Sequence, residues 1–203
     1  GKTEAHIQAR QLAHFDFVHV VIATKQQQPN FGRFDVALFV GFVAPHFPLV
    51  VPQRYLDAID QEAITEPRLH PLTGYRRHPW VQRHADFSNA DDELGTPERR
   101  RLALACYYAL TCFIDEQIGK VLQALGQTGL QASTRVIMSS DHGDNQGVRG
   151  MWNKSTLYRE ATHIPLIVSG PGIPKGKVCS TRSPSSKLLV KYTPRRGGVL
   201  LGM

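Results

Sequence analysis

The sequence is short of cysteine and of long apolar runs. Its three cysteines, Cys106, Cys112 and Cys179, are odd in number and lack the spacing of zinc ligands, which argues against a disulfide framework and a zinc site. Cys106 and Cys112 fall within a helical pattern, so we expect small core residues there. No apolar run approaches the roughly 20 residues that a membrane-spanning helix requires, so the sequence predicts no membrane span.

Acidic residues are missing after Glu160, so the formal net charge of +7 lies in the C-terminal part of the chain. No interleaved aromatic pattern or known nucleic-acid motif accompanies these charges, so we expect no nucleic-acid function. We expect residues 181–203 to form an atypical basic tail, which could be out-of-frame sequence or a segment that binds a partner. The basic residues after Glu160 are Lys175, Lys177, Arg182, Lys187, Lys191, Arg195 and Arg196.

The 203 residues, 41% hydrophobic and 20% charged, are ordinary for a globular domain with a core. The cap Thr96, the first-turn Pro97 and a helical apolar period predict a long helix that ends near Gly126. Apolar runs predict strands, and the order strand, helix, strand suggests a mostly parallel α/β sheet. The predicted strands are 15–23, 35–43 (buried on both faces), 135–140 and 163–170, and the predicted loops are 25–32 and 65–96.

An acid, an imidazole and a glycine follow the predicted strand 135–140. Functional residues of open α/β sheets gather where the chain leaves the C-terminal ends of strands. Asp141 and His142 would point to opposite faces of a strand, so they can share one ion only if the chain turns, as Gly143 permits. A carboxylate and a neutral imidazole would then bind a divalent cation. Alternatively, Asp141 caps the turn and His142 is a surface residue.

Lys154 follows the glycine-rich loop after that turn, and His46 stands between prolines where the 35–43 strand ends. A lysine near a metal suits a tetrahedral oxyanion because its ammonium group is a compact point charge. Taken singly, Lys154 could equally be a solvated surface lysine, and His46 a structural or hydrated histidine. The spacing alone leaves these alternatives open.

Four segments in this order resemble the sulfatase family of the alkaline phosphatase superfamily. They are GFVAPHFPLVVPQRYLD, YYALTCFIDEQIGKVLQAL, VIMSSDHGDNQGVRGMWNKSTLYRE and IPLIVSGPGIP. The resemblance covers about residues 36–178 and is strongest to the choline-sulfatase-like and phosphonate-monoester-hydrolase-like branch, which shares the Ser-Asp-His-Gly form. It implies an α/β/α sandwich, here expected to be incomplete at both ends, with residues 1–180 a partial catalytic domain.

The resemblance also implies roles for individual residues. Asp141 and His142 match ligands of the divalent cation, usually calcium and in some members magnesium or manganese. Lys154 matches the lysine that binds the sulfate oxygens. His46 matches a histidine that contacts the sulfate and helps the leaving oxygen depart. The implied substrate is a small-molecule sulfate ester, hydrolysed by a sulfuric ester hydrolase.

The sequence departs from the family at the nucleophile. The family uses a hydrated formylglycine, made from Cys or Ser in a Cys/Ser-x-Pro/Ala-x-Arg motif, and that motif is absent from these residues. The segment 179–182 has the wrong spacing, and the paired N-terminal aspartates of the cation site are missing. We therefore expect the chain alone to be inactive. The alternatives are a phosphate or phosphonate ester hydrolase of the same superfamily and a non-catalytic truncated product.

Overall fold

The computed structural model describes residues 17–28 and 32–178, so the expected tail 181–203, Cys179 and the boundary near residue 180 lie outside the described residues. The chain forms two compact units. The first unit contains residues 42–117 and 140–164, and the second contains 19–41, 118–139 and the residues from 165 onward. Both helices and strands are present, which confirms the α/β class.

The described elements include four strands and five α-helices. The strands are β1 (Phe17–Gln28), β2 (Gly32–Pro45), β3 (Thr134–Ser140) and β4 (Leu166–Ser169). The α-helices are α1 (Gln53–Leu56), α2 (Pro79–Ser88), α3 (Ala90–Leu94), α4 (Pro97–Gln127) and α5 (Arg159–Thr162). Short 3-10 turns cover Gln61–Ala63, Pro71–Thr73, Leu130–Ser133 and Val148–Gly150.

The strands form one sheet in the order β2-β1-β3-β4. Alternate residues Val18, Val20 and Ile22 of β1 are buried, as expected for a strand with one covered face. Strands β3 and β4 are antiparallel, with Ser139 opposite Leu166, so the expectation of a mostly parallel sheet is wrong for this pair. The segment between β3 and β4 contains no long crossover helix. The chain therefore turns back, and β4 begins beside the C-terminal end of β3.

Two strand predictions need correction. Strand β1 continues to Gln28, through polar residues predicted as a loop, because pairing within the sheet overrides their weak strand propensity. Strand β2 was expected to be buried on both faces, yet Leu38 and Phe39 are 52% and 61% exposed. A continuous apolar run predicts double burial only where other elements cover both faces, and the described residues leave β2 largely uncovered there.

The segment 65–96 is not the structureless loop that its composition predicted, because it contains α2 and α3. His78 caps α2 by accepting a hydrogen bond from the Trp80 amide, and Pro79 occupies the first turn. Asn89 ends α2 in the left-handed conformation. Histidine is an unusual cap, and the short α2 buries only Val81 and Ala85, so the sequence signal was weak.

The long helix α4 confirms the predicted helix from Pro97, ending at Gln127. In the first unit, Leu104, Ala105 and Ala109 of α4 pack with Tyr55, Ile59 and Ile64 as the main core cluster. Cys112 packs against this cluster, Cys106 is also partly buried, and burial raises the pKa of both thiols. Within the described residues, no helix combines the length and apolar character needed to cross a membrane.

The N-terminal cap of α4 provides a test of this helix. Thr96 Oγ1 accepts a hydrogen bond of 3.3 Å from the Arg99 amide. We expect Thr96→Ala to lower the free energy of unfolding by about 1 kcal/mol, because a helix-end amide loses its partner. The control Thr96→Ser keeps the hydroxyl and should stay close to the parent protein. Urea titration followed by circular dichroism measures both, and equal losses in the two variants would contradict the capping role.

Candidate functional site

His46 lies directly after β2 and is fixed by its own local contacts. Its amide donates to the Val43 carbonyl at 3.1 Å, and its ring stacks on Phe47 at 4.4 Å between centroids. Nδ1 lies 2.6 Å from the Phe47 carbonyl oxygen. Because a carbonyl only accepts, this contact puts the ring proton on Nδ1. Nε2 of the neutral ring is therefore the nitrogen with a lone pair.

Lys154 meets His46 although 108 positions separate them. Its Nζ lies 2.8 Å from His46 Nε2, which is a short hydrogen bond from an ammonium group to an imidazole nitrogen. Both residues belong to the first unit. The structure thus brings together the two residues that the sequence nominated for binding an oxyanion, and it places a cationic donor beside a ring nitrogen that can accept or release a proton.

Asp141 and His142 converge in the turn that follows β3. His142 Nε2 lies 3.4 Å from Asp141 Oδ2, and the His142 amide donates to Asp141 Oδ1 at 2.9 Å. Ser140 Oγ supports the turn by donating to the His142 carbonyl oxygen at 2.9 Å. The backbone turn that the sequence required for a shared ion is therefore present.

The ring orientation of His142 suits a metal ligand. Its Nδ1 lies 3.0 Å from the Gly143 carbonyl oxygen, so Nδ1 carries the proton and Nε2 keeps its lone pair. Metal-binding histidines in proteins are commonly oriented by such a bond from the other ring nitrogen. Ligands at right angles around one calcium ion are about 3.3–3.7 Å apart, and Asp141 Oδ2 and His142 Nε2 have that separation.

Few of the described residues could serve as cation ligands at this turn. Among residues 17–28 and 32–178, no group of three or more His, Cys, Asp or Glu side chains could hold a metal ion. Calcium takes 6–8 oxygen ligands in proteins. Asp141 and His142 therefore fit part of a cation site, and the described residues do not complete it.

The loop between His142 and Lys154 is organised by Asn145, a residue that the sequence analysis missed. Asn145 is fully buried, and its amide and side-chain Nδ2 both donate to the Asn153 carbonyl oxygen, at 2.8 and 2.5 Å. Thr156 Oγ1 donates to Asn145 Oδ1 at 3.0 Å. These bonds hold Asn153 beside Asn145, which lies three residues after His142. They therefore fix the backbone position of the next residue, Lys154. Only the asparagine between two glycines hinted at this role.

A second missed residue is Asp91 of α3, which is buried and accepts four hydrogen bonds. Oδ1 accepts from Arg100 Nε at 3.0 Å and from Trp152 Nε1 at 2.8 Å. Oδ2 accepts from Arg100 Nη2 at 3.2 Å and from His70 Nε2 at 2.9 Å. One carboxylate thus joins the start of α4, the turn at His70 and the loop that carries Lys154.

The Asp91 carboxyl is ionised in this environment despite its burial. Burial is the largest influence on its pKa and raises it. The hydrogen bonds from Arg100, Trp152 and His70, together with the electrostatic attraction of His70, outweigh burial and leave the pKa below its ordinary value of 3.8. His70 Nδ1 accepts from the Leu72 amide, and its Nε2 contacts the carboxylate. Arg100 places a permanent positive charge beside Asp91.

The family comparison gives one match over most of the chain. The sequence model of the family described as Sulfatase matches residues 13–189. Choline-sulfatase from Rhizobium meliloti (strain 1021) is 30% identical over 142 residues, which is 68% of this chain and 27% of that protein. Arylsulfatase K from Xenopus laevis is 27% identical over 197 residues, or 89% of this chain and 35% of that protein.

One solved structure is similar to this chain in fold as well as in sequence. Phosphonate monoester hydrolase SpPMH from Silicibacter pomeroyi is similar with a TM-score of 0.53 and 31% sequence identity, over 66% of this chain and 28% of that one. This similarity confirms the alkaline-phosphatase-like fold. The chain spans about a quarter to a third of the length of these relatives.

The pKa of Asp91 predicts how stability responds to acid. Because the pKa is lowered on folding, the contribution of the carboxylate is complete above the ordinary value of 3.8 and is lost as the pH falls through the lower folded value. Asp91→Asn should therefore reduce the free energy of unfolding by roughly 3 kcal/mol at pH 7, with the gap to the parent protein closing in acid.

Unfolding by urea at several pH values between 7 and 3 measures this gap. The matched control is Asp92→Asn, at the exposed neighbouring position of α3, which should leave stability nearly unchanged. A gap for Asp91→Asn that stays constant down to pH 3 would contradict the role of the ionised carboxylate.

Proposed function

Because the chain belongs to the sulfatase family, we propose that it carries part of the active site of a sulfuric ester hydrolase. Lys154 and His46 would bind the sulfate group, and Asp141 and His142 would bind a divalent cation. The observation that carries the proposal is the 2.8 Å contact between Lys154 Nζ and His46 Nε2. The family resemblance implies that both functional groups contact one oxyanion.

The chemistry of the pair suits a sulfate ester. The Lys154 ammonium group donates hydrogen bonds to sulfate oxygens and offsets their negative charge. His46 is oriented through Nδ1 by the Phe47 carbonyl, so its Nε2 is the atom that faces the ester. In its protonated form, His46 can donate from Nε2 to the leaving oxygen as the sulfur–oxygen bond breaks. The Lys154 ammonium group is already held beside His46 Nε2 before the charge develops, which is the requirement for electrostatic stabilisation.

The cation completes the proposal at Asp141 and His142. We expect calcium, with magnesium or manganese as the alternatives. When bound, a divalent cation polarises the sulfate group and supplies a Lewis acid. The contribution of this chain is to present Asp141 Oδ2 and His142 Nε2 on one side of a turn, 3.4 Å apart. The remaining ligands would come from outside the described residues.

A second candidate function is hydrolysis of phosphate or phosphonate esters. The observation that favours it is the structural similarity to a phosphonate monoester hydrolase. Sulfate, phosphate and phosphonate groups are all tetrahedral oxyanions, so the Lys154–His46 pair suits each of them. Titrating the chain with sulfate and with phenylphosphonate at one ionic strength separates the two functions, since the tighter ligand identifies the preferred class.

A third candidate is a non-catalytic truncated product that binds a partner or nothing and binds a cation weakly at most. The absence of the nucleophile motif from the 203 residues favours it over an active enzyme. Thermal melts with and without calcium distinguish it, because a ligand that binds only the folded state raises the melting temperature. A rise that disappears in His142→Ala supports the cation site, and an unchanged melt supports the non-catalytic product.

Sulfate affinity tests the oxyanion pair directly. Lys154→Met should weaken binding of inorganic sulfate at least tenfold, since a hydrogen bond to a charged group contributes about 1.5–3 kcal/mol. Isothermal titration calorimetry at constant ionic strength measures the affinity. The matched control is Lys175→Met, an exposed lysine of the second unit, which should bind as the parent protein does. Equal losses of affinity in both variants would mean that sulfate binding depends only on the net charge of the protein and not on Lys154.

The missing nucleophile predicts that this chain alone has no hydrolase activity. Purified protein incubated with calcium and an aryl sulfate should release phenol no faster than buffer, because no formylglycine can form to attack the sulfur. Absorbance of the released phenolate measures the rate. Turnover above buffer that is lost in His142→Ala would contradict this expectation and would require another nucleophile in the chain.

A further inference from the structure

Lys154 stands between two residues with unfavourable backbone angles. Asn153 has φ of 60° and Ser155 has φ of 75°. Asparagine tolerates this left-handed region better than most residues with a side chain, whereas for Ser155 it is costly. Such angles persist only where the surrounding structure holds them. The direction in which Lys154 leaves the backbone therefore depends on contacts that fix its neighbours.

One of these contacts comes from within the loop itself. The Asn153 carbonyl oxygen accepts two hydrogen bonds from Asn145. They fix the peptide that joins Asn153 to Lys154. They do not restrain Trp152, the residue before Asn153. Trp152 is held by contacts with other parts of the first unit.

Trp152 is held by a hydrogen bond and by packing. Its Nε1 donates to Asp91 Oδ1 at 2.8 Å, across 61 positions of sequence. Its ring packs against the core cluster that contains Tyr55 and Leu104. The ring also passes so close to Gly147 that a Cβ there would lie 3.0 Å from Trp152 Cζ2. Trp152 thus has one fixed position, set by a polar and an apolar partner.

The polar partner is itself buried and hydrogen-bonded. Asp91 is only 9% exposed, and its other hydrogen bonds come from Arg100 and His70. The chain from Asp91 through Trp152 to Asn153 therefore runs from a buried ion pair to the residue before Lys154. Each link is a contact of the first unit.

We propose that Asp91 and Trp152 are positioning residues for oxyanion binding by Lys154 and His46. The inference rests on the proposed sulfate site. The Trp152 Nε1–Asp91 hydrogen bond restrains the strained segment 152–155, and this restraint keeps Lys154 Nζ at His46 Nε2. Neither residue touches the anion.

The alternative is that Trp152 only fills space in the core. The two roles differ in what loss of the indole N–H does. Trp152→Phe keeps an aromatic ring against the core and removes the donor to Asp91. A positioning role predicts weaker sulfate binding, whereas a packing role predicts a lower melting temperature with unchanged sulfate affinity in the folded protein.

The experiment titrates inorganic sulfate into the full 203-residue chain by calorimetry, at a temperature well below the melting temperature of each variant. We expect Trp152→Phe to weaken sulfate binding about fivefold to tenfold. The matched control is Trp80→Phe, the same change at the other tryptophan, which is 54% exposed and should bind sulfate as the parent protein does. Nitrogen-15 NMR of the His46 ring supplies a signature, since its Nε2 signal should move in Trp152→Phe toward its position in Lys154→Met.

If Trp152→Phe does not fold, 3-benzothienylalanine incorporated for tryptophan in the Trp80→Phe background replaces only the N–H with sulfur. The same loss of affinity is expected. Unchanged affinity and an unchanged His46 signal would overturn the positioning role, provided that Lys154→Met still weakens binding. If Lys154→Met also leaves affinity unchanged, the proposed sulfate site itself is wrong, and the positioning role is overturned with it.

Discussion

The buried carboxylate of Asp91 is the constraint on which the candidate site depends. A buried charge is strongly unfavourable unless it is paired and fully hydrogen-bonded. Asp91 meets this requirement only when Arg100, His70 and Trp152 all reach it. Satisfying one carboxylate therefore assembles three distant parts of the first unit in one arrangement, including the loop that ends at Lys154.

The parts of the fold with local signals were predictable from sequence. The helix α4 has a cap, a first-turn proline and a long apolar period, and it forms where these signals place it. The turn after β3 was also predictable, because Asp, His and Gly after a short apolar strand offer the backbone few alternatives. The nomination of His46 and Lys154 required the family resemblance, since neither residue is distinctive alone.

The parts that depend on distant contacts were not predictable in the same way. Nothing local shows that β2 would leave Leu38 exposed, because exposure is set by which elements cover the strand. The helix α2 has a histidine cap and only two buried apolar residues. Two apolar positions are too few to show a helical period in the sequence. Asp91 reads as an ordinary acid of a polar segment, and its role appears only when Trp152, 61 positions away, donates to it.

The central claim is that His46 and Lys154 bind one oxyanion together. A double-mutant cycle on sulfate affinity, with His46→Gln, Lys154→Met and the combined variant, tests it most directly, because residues that share a partner give non-additive losses. We predict a combined fold-loss clearly smaller than the product of the two single losses. Losses that multiply without coupling would show that the two residues act independently and would contradict the account.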